Sequence, residues 1–282
     1  MIKMEEIVSF QHKDTTHRVI IGDSGDMKQI KDSSIDLIVT SPPYPMIEMW
    51  DNMFKQAGAN TYEQMHDYLS QVWKESYRVL RKGGLMCINI GDATRTVDHK
   101  FKLYPNHSKV IENCEKIGFE TLPYIIWKKP TNKPNAFLGS GFLPPNGYVT
   151  LDCEFILIFR KDGLRKFEPH DKARYMSAFT KEERDIWFSQ IWQIRGVKQS
   201  NRKVERRTAE YPEEIVEKLI RMFSVIGDTI LDPFVGTGTT LAVAKRLNRN
   251  SIGYEIDADF LPIIRDKVGY NQNMLFDFDE EI

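Results

Sequence analysis

The sequence predicts an α/β fold with a doubly wound, mostly parallel sheet. Seven short apolar runs, rich in Ile, Leu and Val and bounded by Gly, Pro or Asp, are typical of strands covered on both faces. Helical segments separate these runs, and alternating strands and helices form parallel sheets. The 282 residues, 41% hydrophobic and 28% charged, approach the upper size for one core. We therefore expect one large domain with a smaller insertion.

The predicted elements follow one another along the whole chain. The strands are Val19–Ile21, Asp36–Thr40, Leu85–Ile90, Leu122–Trp127, Glu154–Phe159, Thr229–Leu231 and Ser251–Glu255. Helices are predicted where apolar residues recur every three or four positions, or where a proline and acidic residues open a segment that a glycine closes. They are Tyr62–Leu80, Ser108–Ile117, Pro212–Ile226, Thr239–Leu247 and Ala258–Val268.

Two segments interrupt the alternation. Pro45–Thr61 follows a strand end and carries several large apolar residues without a clean helical pattern. It is either a lid over a site or a loop anchored by an aromatic side chain, and the lid is favoured. Pro130–Thr150 is rich in Pro, Gly and Asn, a composition that predicts irregular structure.

A glycine-rich turn between a strand and a helix, at Asp232–Thr240, predicts a ligand site. Gly236 and Gly238 let the backbone approach a ligand closely, and Asp232 can accept hydrogen bonds from an ammonium group. Roughly twenty residues on, Glu255 ends the next strand, where an acidic side chain can bind a ribose diol. The turn lacks the third glycine of dinucleotide sites and the lysine of phosphate loops. It suits an amino acid joined to a nucleoside, such as S-adenosylmethionine; a purely structural turn is the alternative.

A second candidate site follows the strand that ends at Thr40. Ser41-Pro42-Pro43-Tyr44 is a turn that its prolines make rigid, and its carbonyl oxygens remain free as acceptors. The NH2 group of a planar base can donate to Ser41 and to the Pro42 carbonyl while Tyr44 stacks on the ring. These two bonds favour a pyramidal nitrogen whose lone pair points at a methyl donor. A turn that only stiffens a loop is the alternative.

In these motifs the sequence resembles the amino-methylating DNA methyltransferases, in the permuted arrangement called the beta group. Ser41-Pro42-Pro43-Tyr44 matches the family's Asp/Ser/Asn-Pro-Pro-Tyr/Phe signature, and Asp232–Thr240 matches its cofactor loop at every named position. The resemblance covers most of the chain and implies a seven-stranded sheet with one antiparallel strand. The other matching segments are Ile21-Gly22-Asp23-Ser24, Arg81-Lys82-Gly83-Gly84, Ile126-Trp127-Lys128-Lys129-Pro130, Glu210-Tyr211-Pro212 and Ile252-Gly253-Tyr254-Glu255.

The resemblance also implies a role for each site residue. Ser41, Pro42, Pro43 and Tyr44 would hold the flipped base, Glu255 would bind the ribose of S-adenosylmethionine, and Asp23 would contact its adenine amino group. The rest of the cofactor would be surrounded by Asp232, Phe234, Gly236, Gly238 and Thr239. Because Asp23 and Glu255 lie at opposite ends of the sequence, the cofactor site would join both halves of the chain. We therefore expect one catalytic domain made of residues 1–159 and 208–282.

The first residue of the signature bears on the substrate. In the family, Ser is typical of cytosine-N4 enzymes and Asp is commonest among adenine-N6 enzymes, so Ser41 favours cytosine N4, with adenine N6 as the alternative. Cytosine C5 methylation requires a thiolate nucleophile, and none of the three cysteines lies in a Pro-Cys pair or a glycine-rich loop. Their spacing also predicts neither a metal site nor a disulfide framework. RNA or protein-amide methylation and a non-catalytic DNA-binding role are less favoured.

A basic segment indicates where DNA would bind. Arg160–Arg207 carries 14 Lys and Arg against 7 Asp and Glu, a balance of +7 in a chain of net charge −1. This is typical of nucleic-acid binding, although a solvated charged face has the same composition. In the family a target-recognition region lies here, which implies residues 160–207, with 130–150 as a further candidate. The candidate contacts are Arg195, Lys198, Arg202, Lys203, Arg206 and Arg207, with Asn201, Gln199 or Arg195 as base readers.

The expected partners are double-stranded DNA and a cognate restriction endonuclease; monomer and homodimer both stay open. No apolar run approaches the roughly 18 residues of a membrane span. The N-terminus lacks the apolar core of a secretory signal, so the expected compartment is the cytoplasm.

Overall fold

The computed structural model describes residues 6–130, 138–139, 145, 147–197 and 210–269. Its strands are β1 (Glu6–His12), β2 (Thr15–Ile21), β3 (Ile35–Thr40), β4 (Leu80–Ile90), β5 (Ala93–Val97), β6 (Lys100–Tyr104), β7 (Glu120–Lys128), β8 (Leu138–Gly139), β9 (Gly147–Tyr148), β10 (Cys153–Arg160), β11 (Ile191–Gln193), β12 (Thr229–Asp232) and β13 (Asn250–Glu255). Nine of these form one sheet in the order β1-β2-β13-β12-β3-β4-β10-β7-β11, and β5-β6 and β8-β9 form two small ladders.

The seven predicted strands are confirmed and form the continuous centre of the sheet. There β2, β13, β12, β3 and β4 are parallel neighbours, and β10 is antiparallel to β4 and β7. The expected count of seven is wrong, because β1 pairs with β2 and β11 pairs with β7 at the two edges. Neither edge strand shows a continuous apolar run: β11 has three residues, and β1 alternates exposed and buried side chains.

The helices cover both faces of the sheet. They are α1 (Asp51–Gln56), α2 (Tyr62–Val79), α3 (Asn106–Ile117), α4 (Lys172–Met176), α5 (Lys181–Trp187), α6 (Glu213–Phe223), α7 (Thr239–Arg246) and α8 (Leu261–Val268), with short 3-10 turns at Glu48–Trp50 and Ala258–Phe260. The five predicted helices are confirmed as α2, α3, α6, α7 and α8. No helix in the described part of the chain has the length and apolar character needed to cross a membrane.

The core follows from the alternation of side chains along the strands. In β3, Ile38 packs on one face of the sheet with Leu69 of α2, whereas Leu37 and Val39 pack on the other with Leu219 of α6. All five side chains are buried. Because successive residues of a strand point to opposite faces, β3 can only be a continuous apolar run when helices cover both sides.

The segment Pro45–Thr61 is anchored to the core and does not stand apart as a lid. It forms the first 3-10 turn and α1, and Phe54 of α1 is fully buried among the residues under α2. Asp51 also pairs with both terminal nitrogens of Arg95. The arrangement fits the anchored-loop alternative.

The basic segment divides between the two ends of the sheet. β10 runs away from the carboxyl ends of the parallel strands, and Arg160 pairs with Glu120 at the start of β7. At that amino end, Arg165 donates to both carboxylate oxygens of Asp228 at 2.6 and 2.8 Å. The chain runs back toward the carboxyl end of the sheet through β11. Directly after β11, the Ile194 carbonyl accepts a hydrogen bond from Trp127 Nε1 at 2.8 Å. Because β11 is parallel to β7, residues 194–197 lie at the carboxyl end of the sheet.

Candidate active site

The carboxyl edge of the sheet brings the predicted site residues together. Asp23 follows β2, Glu255 ends β13, Asp232 ends β12 and Ser41 follows β3, and these four strands are consecutive neighbours. From the adjacent strands β3 and β12 the chain leaves in opposite directions, toward β4 and toward β13. In open α/β sheets such a point forms a crevice in which ligands bind.

The turn after β3 is held rigidly. Pro42 and Pro43 are buried, and Ser41 and Tyr44 are half-buried. On the next residue, the Pro45 carbonyl accepts a hydrogen bond from Asn106 Nδ2 at 3.0 Å, and the same nitrogen donates to the Gly91 carbonyl at 3.0 Å. One side chain at the start of α3 thus ties the end of β4 to the turn.

The Tyr44 hydroxyl belongs to a polar network that crosses three strands. It donates to Glu154 Oε2 at 2.8 Å, and Asn89 Nδ2 donates to the Tyr44 oxygen and to Glu154 Oε2, both at 2.7 Å. The ammonium group of Lys129 pairs with the other oxygen of Glu154, and Ser41 Oγ lies 3.3 Å from the Tyr44 hydroxyl. Burial and the charge of Glu154 hold the pKa of Tyr44 well above its usual range, so the phenol stays protonated.

Asp232 connects the catalytic turn to the glycine-rich loop. Its Oδ1 accepts from Thr40 Oγ1 at 2.6 Å and from the Phe234 amide at 3.0 Å, and its Oδ2 accepts from Thr240 Oγ1 at 2.6 Å. The side chain is only 1% exposed, and burial raises the pKa of its carboxyl to about 6. Both carboxylate oxygens of Asp232 therefore accept hydrogen bonds from the protein itself, from β3, the glycine-rich loop and α7.

The glycine-rich loop presents its backbone to open space. Gly236 has φ +53, and a Cβ placed on it would meet no atom within 4 Å. Gly238 has φ +92 at the start of α7, where a Cβ would lie 3.2 Å from Ile264 Cγ2. Both positions thus need the left-handed backbone that glycine allows without strain. Phe234, half-buried, packs edge-on against Trp73 with ring centres 6.1 Å apart.

Two acidic side chains lie beside this loop. Glu255 accepts from the amides of Gly236 at 2.9 Å and Asp257 at 3.0 Å, yet burial raises the pKa of its carboxyl to about 7. Asp23 is exposed and accepts from the Gly25 amide at 2.8 Å. The Tyr68 hydroxyl lies 3.5 Å from Asp23 Oδ1. Tyr68 also lines a groove of about 280 Å³, together with Ala57, Gly58, Ala59, Gln64, Asp67 and Gln71.

A third network closes the far side of the loop. Glu210 Oε1 accepts from Thr237 Oγ1 at 2.6 Å and Thr239 Oγ1 at 3.0 Å, and it pairs with the ammonium group of Lys267. Lys267 also donates to Thr239 Oγ1 at 2.8 Å, and burial lowers its pKa to about 8. The hydroxyl of Thr239, one of the predicted cofactor residues, is thus buried and bonded to Glu210 and Lys267.

Sequence reasoning did not single out five of these residues. Asn89, Lys129, Glu154, Glu210 and Lys267 join the site through contacts between separate elements. Lys129 and Glu210 lie in two of the segments that match the family, and this match was the only sequence feature that could have marked them. Glu154 is the second residue of β10 and directly precedes its apolar run, and a charged residue at the start of a buried strand could have marked it.

The predicted DNA contacts are mostly beyond what the structure describes. Arg195 is exposed and lies two residues after β11, at the carboxyl end of the sheet. The other predicted contacts lie outside the described residues; these are Lys198, Gln199, Asn201, Arg202, Lys203, Arg206 and Arg207.

Comparisons with known proteins identify the family of the chain. The chain is 59% identical over 291 residues to the Type II methyltransferase M.MjaI of Methanocaldococcus jannaschii, covering 95% of this chain and 96% of that protein. It is 47% identical to the Type II methyltransferase M.MthZI of Methanothermobacter thermautotrophicus, covering 90% of this chain and 77% of the relative.

A solved structure has the same fold. The putative DNA modification methylase TTHA0409 of Thermus thermophilus, complexed with S-adenosyl-L-methionine, superposes with a TM-score of 0.72 at 32% identity, covering 90% of this chain and 92% of that one. The N6_N4_Mtase family model, described as DNA methylase, matches residues 35–266. The chain therefore belongs to the N6_N4_Mtase family of DNA methylases.

Proposed function

We propose that this DNA methyltransferase transfers a methyl group from S-adenosylmethionine to the exocyclic N4 amine of a flipped cytosine in duplex DNA. One observation carries the proposal: Asp232 Oδ1 accepts hydrogen bonds both from the Thr40 hydroxyl, which precedes the turn, and from the Phe234 amide in the loop. The turn with the amine acceptors and the loop for the methyl donor are therefore parts of one site. The Type II relatives favour a role in a restriction–modification system.

The crevice fits S-adenosylmethionine as methyl donor. Its adenosine needs an acceptor pair for the ribose diol and an acceptor for the adenine amine, which Glu255 and Asp23 would supply. Its amino-acid part needs close backbone approach, which the open face of Gly236 allows. When bound, the cofactor supplies an electrophilic methyl group on a positively charged sulfur.

The protein's contribution is to hold and orient the amine. Ser41 Oγ and the Pro42 carbonyl would each accept one N–H of the base, directing the nitrogen lone pair toward the cofactor loop. Tyr44 would stack on the base, with its hydroxyl held by Glu154 and Asn89. No strong base is required, because the amine proton can leave after the methyl group has transferred.

The choice of base rests on Ser41. A serine hydroxyl at this position accepts one N–H and stays neutral, and the family resemblance associates it with cytosine N4. Adenine N6 is the alternative, because both bases present a planar amine to the same two acceptors.

Nucleoside analysis tests the proposal. Sequence-diverse duplex DNA is incubated with protein and S-adenosylmethionine, digested to nucleosides and separated by mass, with Tyr44→Ala protein as the control. We expect the N4-methylated deoxycytidine to form with the wild type and to be strongly reduced with the variant. If N6-methylated deoxyadenosine forms instead, the target is adenine N6 and not cytosine N4. The absence of any methylated nucleoside would refute the proposed function.

The pKa of Glu255 predicts a pH-dependent cofactor affinity. Its carboxyl has a pKa of about 7, and a ribose diol donates to the ionised form, so protonation below pH 7 competes with binding. We expect the cofactor Kd to rise about fourfold from pH 8 to pH 6.5, the factor that one site of this pKa gives. Isothermal titration at several pH values measures it.

Glu255→Gln is the matched control for this profile. Asp232 and Lys267 titrate near the same range, with pKa values of about 6 and about 8, and both remain in the variant. The difference between the two profiles therefore reports Glu255. Parallel profiles would show that Glu255 does not bind the ribose as an anion.

Glu154 is proposed to position the Tyr44 ring. Glu154→Gln removes the anion that pairs with Lys129 and weakens the bond from the Tyr44 hydroxyl. We expect turnover to fall about tenfold, which corresponds to about 1.4 kcal/mol, with cofactor Kd unchanged. In a Tyr44→Phe background the same substitution should have little further effect, because the hydroxyl is already absent. Additive losses in this double-mutant cycle would rule out action through Tyr44.

A further inference from the structure

The hairpin formed by β5 and β6 stands directly beside the catalytic turn. It begins two residues after Gly91, and a Cβ placed on Gly91 would lie 3.0 Å from the Tyr44 ring. The preceding residue, Asp92, accepts from His107 Nδ1 at 2.8 Å, which fixes the base of the hairpin to α3. The two strands have five residues each and are roughly 17 Å long.

One face of this hairpin concentrates positive charge. Arg95 lies opposite Lys102, and Val97 lies opposite Lys100, so all three basic residues share a face. Like charges directly opposite one another destabilise a strand pair. Only Arg95 is neutralised, by Asp51; in the described residues no carboxylate pairs with Lys100 or Lys102. Both lysines are exposed.

The hairpin is held firmly enough to present these charges in a fixed place. The bidentate Arg95–Asp51 pair joins it to α1. The Tyr104 ring lies 5.1 Å from the Tyr62 ring, and the Phe101 ring lies 4.4 Å from the Tyr148 ring of β9. Charges that repel one another on a braced hairpin next to a base-binding site favour an external polyanion as their partner.

We propose that the β5–β6 hairpin binds the phosphate backbone of duplex DNA through Lys100 and Lys102. The proposal rests on the proposed function, because it assumes that a DNA base occupies the site beside Tyr44. The two lysines are two positions apart on one strand face, about 7 Å, and so can contact neighbouring phosphates of one DNA strand. The contact fixes the position of the duplex while carrying no sequence information.

Salt dependence of DNA binding tests the proposal. The Kd of the full chain for a methylatable duplex is measured between low and moderate salt for wild type and Lys100→Ala/Lys102→Ala. Each lost phosphate contact reduces the slope of log Kd against log salt by about 0.9, so the double variant should lose about 1.8. Lys100→Arg/Lys102→Arg retains the charges and should keep the wild-type slope.

The matched control removes two lysines from the other end of the sheet. Lys31 lies four residues before β3, and Lys82 lies in the first residues of β4, so both are at the amino end of the sheet. Both are exposed, and neither pairs with a carboxylate in the described chain. Lys31→Ala/Lys82→Ala should keep the wild-type slope, and cofactor Kd should match wild type in all variants. A hairpin variant with an unchanged slope overturns the hairpin proposal alone. Tighter binding to an RNA duplex of the same sequence overturns DNA as its partner, and a wild type that neither binds nor methylates DNA overturns both proposals.

Discussion

Replacing Tyr44 with alanine is expected to lower turnover about 10- to 100-fold while leaving cofactor Kd within about twofold. Stacking of a base on an aromatic side chain is worth about 1 to 3 kcal/mol, and each 1.36 kcal/mol corresponds to a factor of about ten in rate. The cofactor residues lie on other strands, and Tyr44 contacts Glu154 and Asn89 instead of the glycine-rich loop. Single-turnover rates and cofactor titrations separate the two quantities.

Tyr44→Phe is the matched control. It keeps the ring and removes the hydroxyl, so its turnover should lie between those of wild type and Tyr44→Ala. If Tyr44→Ala instead lost cofactor affinity and kept its single-turnover rate, the assignment of Tyr44 to the base would be wrong.

The second large effect is expected for Asp232→Ala. It removes the acceptor of the Thr40 hydroxyl and of the Phe234 amide in a buried site, and it leaves the Thr240 hydroxyl with Tyr211 as its partner. An unsatisfied buried group costs about 1 to 3 kcal/mol, so the loop should lose order and cofactor affinity should fall at least about tenfold. Turnover at saturating cofactor should fall as well, because Thr40 immediately precedes Ser41.

Asp232→Asn distinguishes this linking role from direct contact with the cofactor. The amide retains the Oδ1 acceptor for Thr40 and Phe234 and loses only the acceptor for Thr240. We therefore expect a partial loss of affinity and near-normal turnover at saturation. A cofactor Kd as poor as that of Asp232→Ala, with normal thermal stability, would indicate that the carboxylate contacts the cofactor itself.

The sequence predicted the central strands and the two motifs because both signals are local. A buried strand is a short apolar run, and the turn and the loop are contiguous segments such as Ser41–Tyr44 and Asp232–Thr240. The parallel arrangement then places both motifs at one edge. The edge strands β1 and β11 carry no such run, so their pairing depends on tertiary contacts.

The contacts that hold the site residues in place were not predictable in the same way. Tyr44 lies in the turn after β3, Asn89 in β4 and Glu154 in β10, and only the strand order β3-β4-β10 makes them neighbours. Composition also could not show that Arg165 lies at the amino end of the sheet while Arg195 lies at the carboxyl end. A count of charged residues contains no information about their positions in the fold. The charged face of the hairpin is not predictable from the sequence for a related reason: Lys100 and Lys102 share a face with Arg95 only through the register of β5 and β6.

The position of the target base in a complex with DNA shows whether the turn binds the exocyclic amine. A crystal structure of the protein with duplex DNA and a non-reactive cofactor analogue locates the exocyclic nitrogen relative to the turn. We expect a flipped cytosine whose N4 lies within about 3.2 Å of Ser41 Oγ and of the Pro42 carbonyl oxygen, the hydrogen-bond range, with its ring on Tyr44. A target base whose amine lies away from both acceptors would contradict the proposed role of Ser41 and Pro42 in binding the amine.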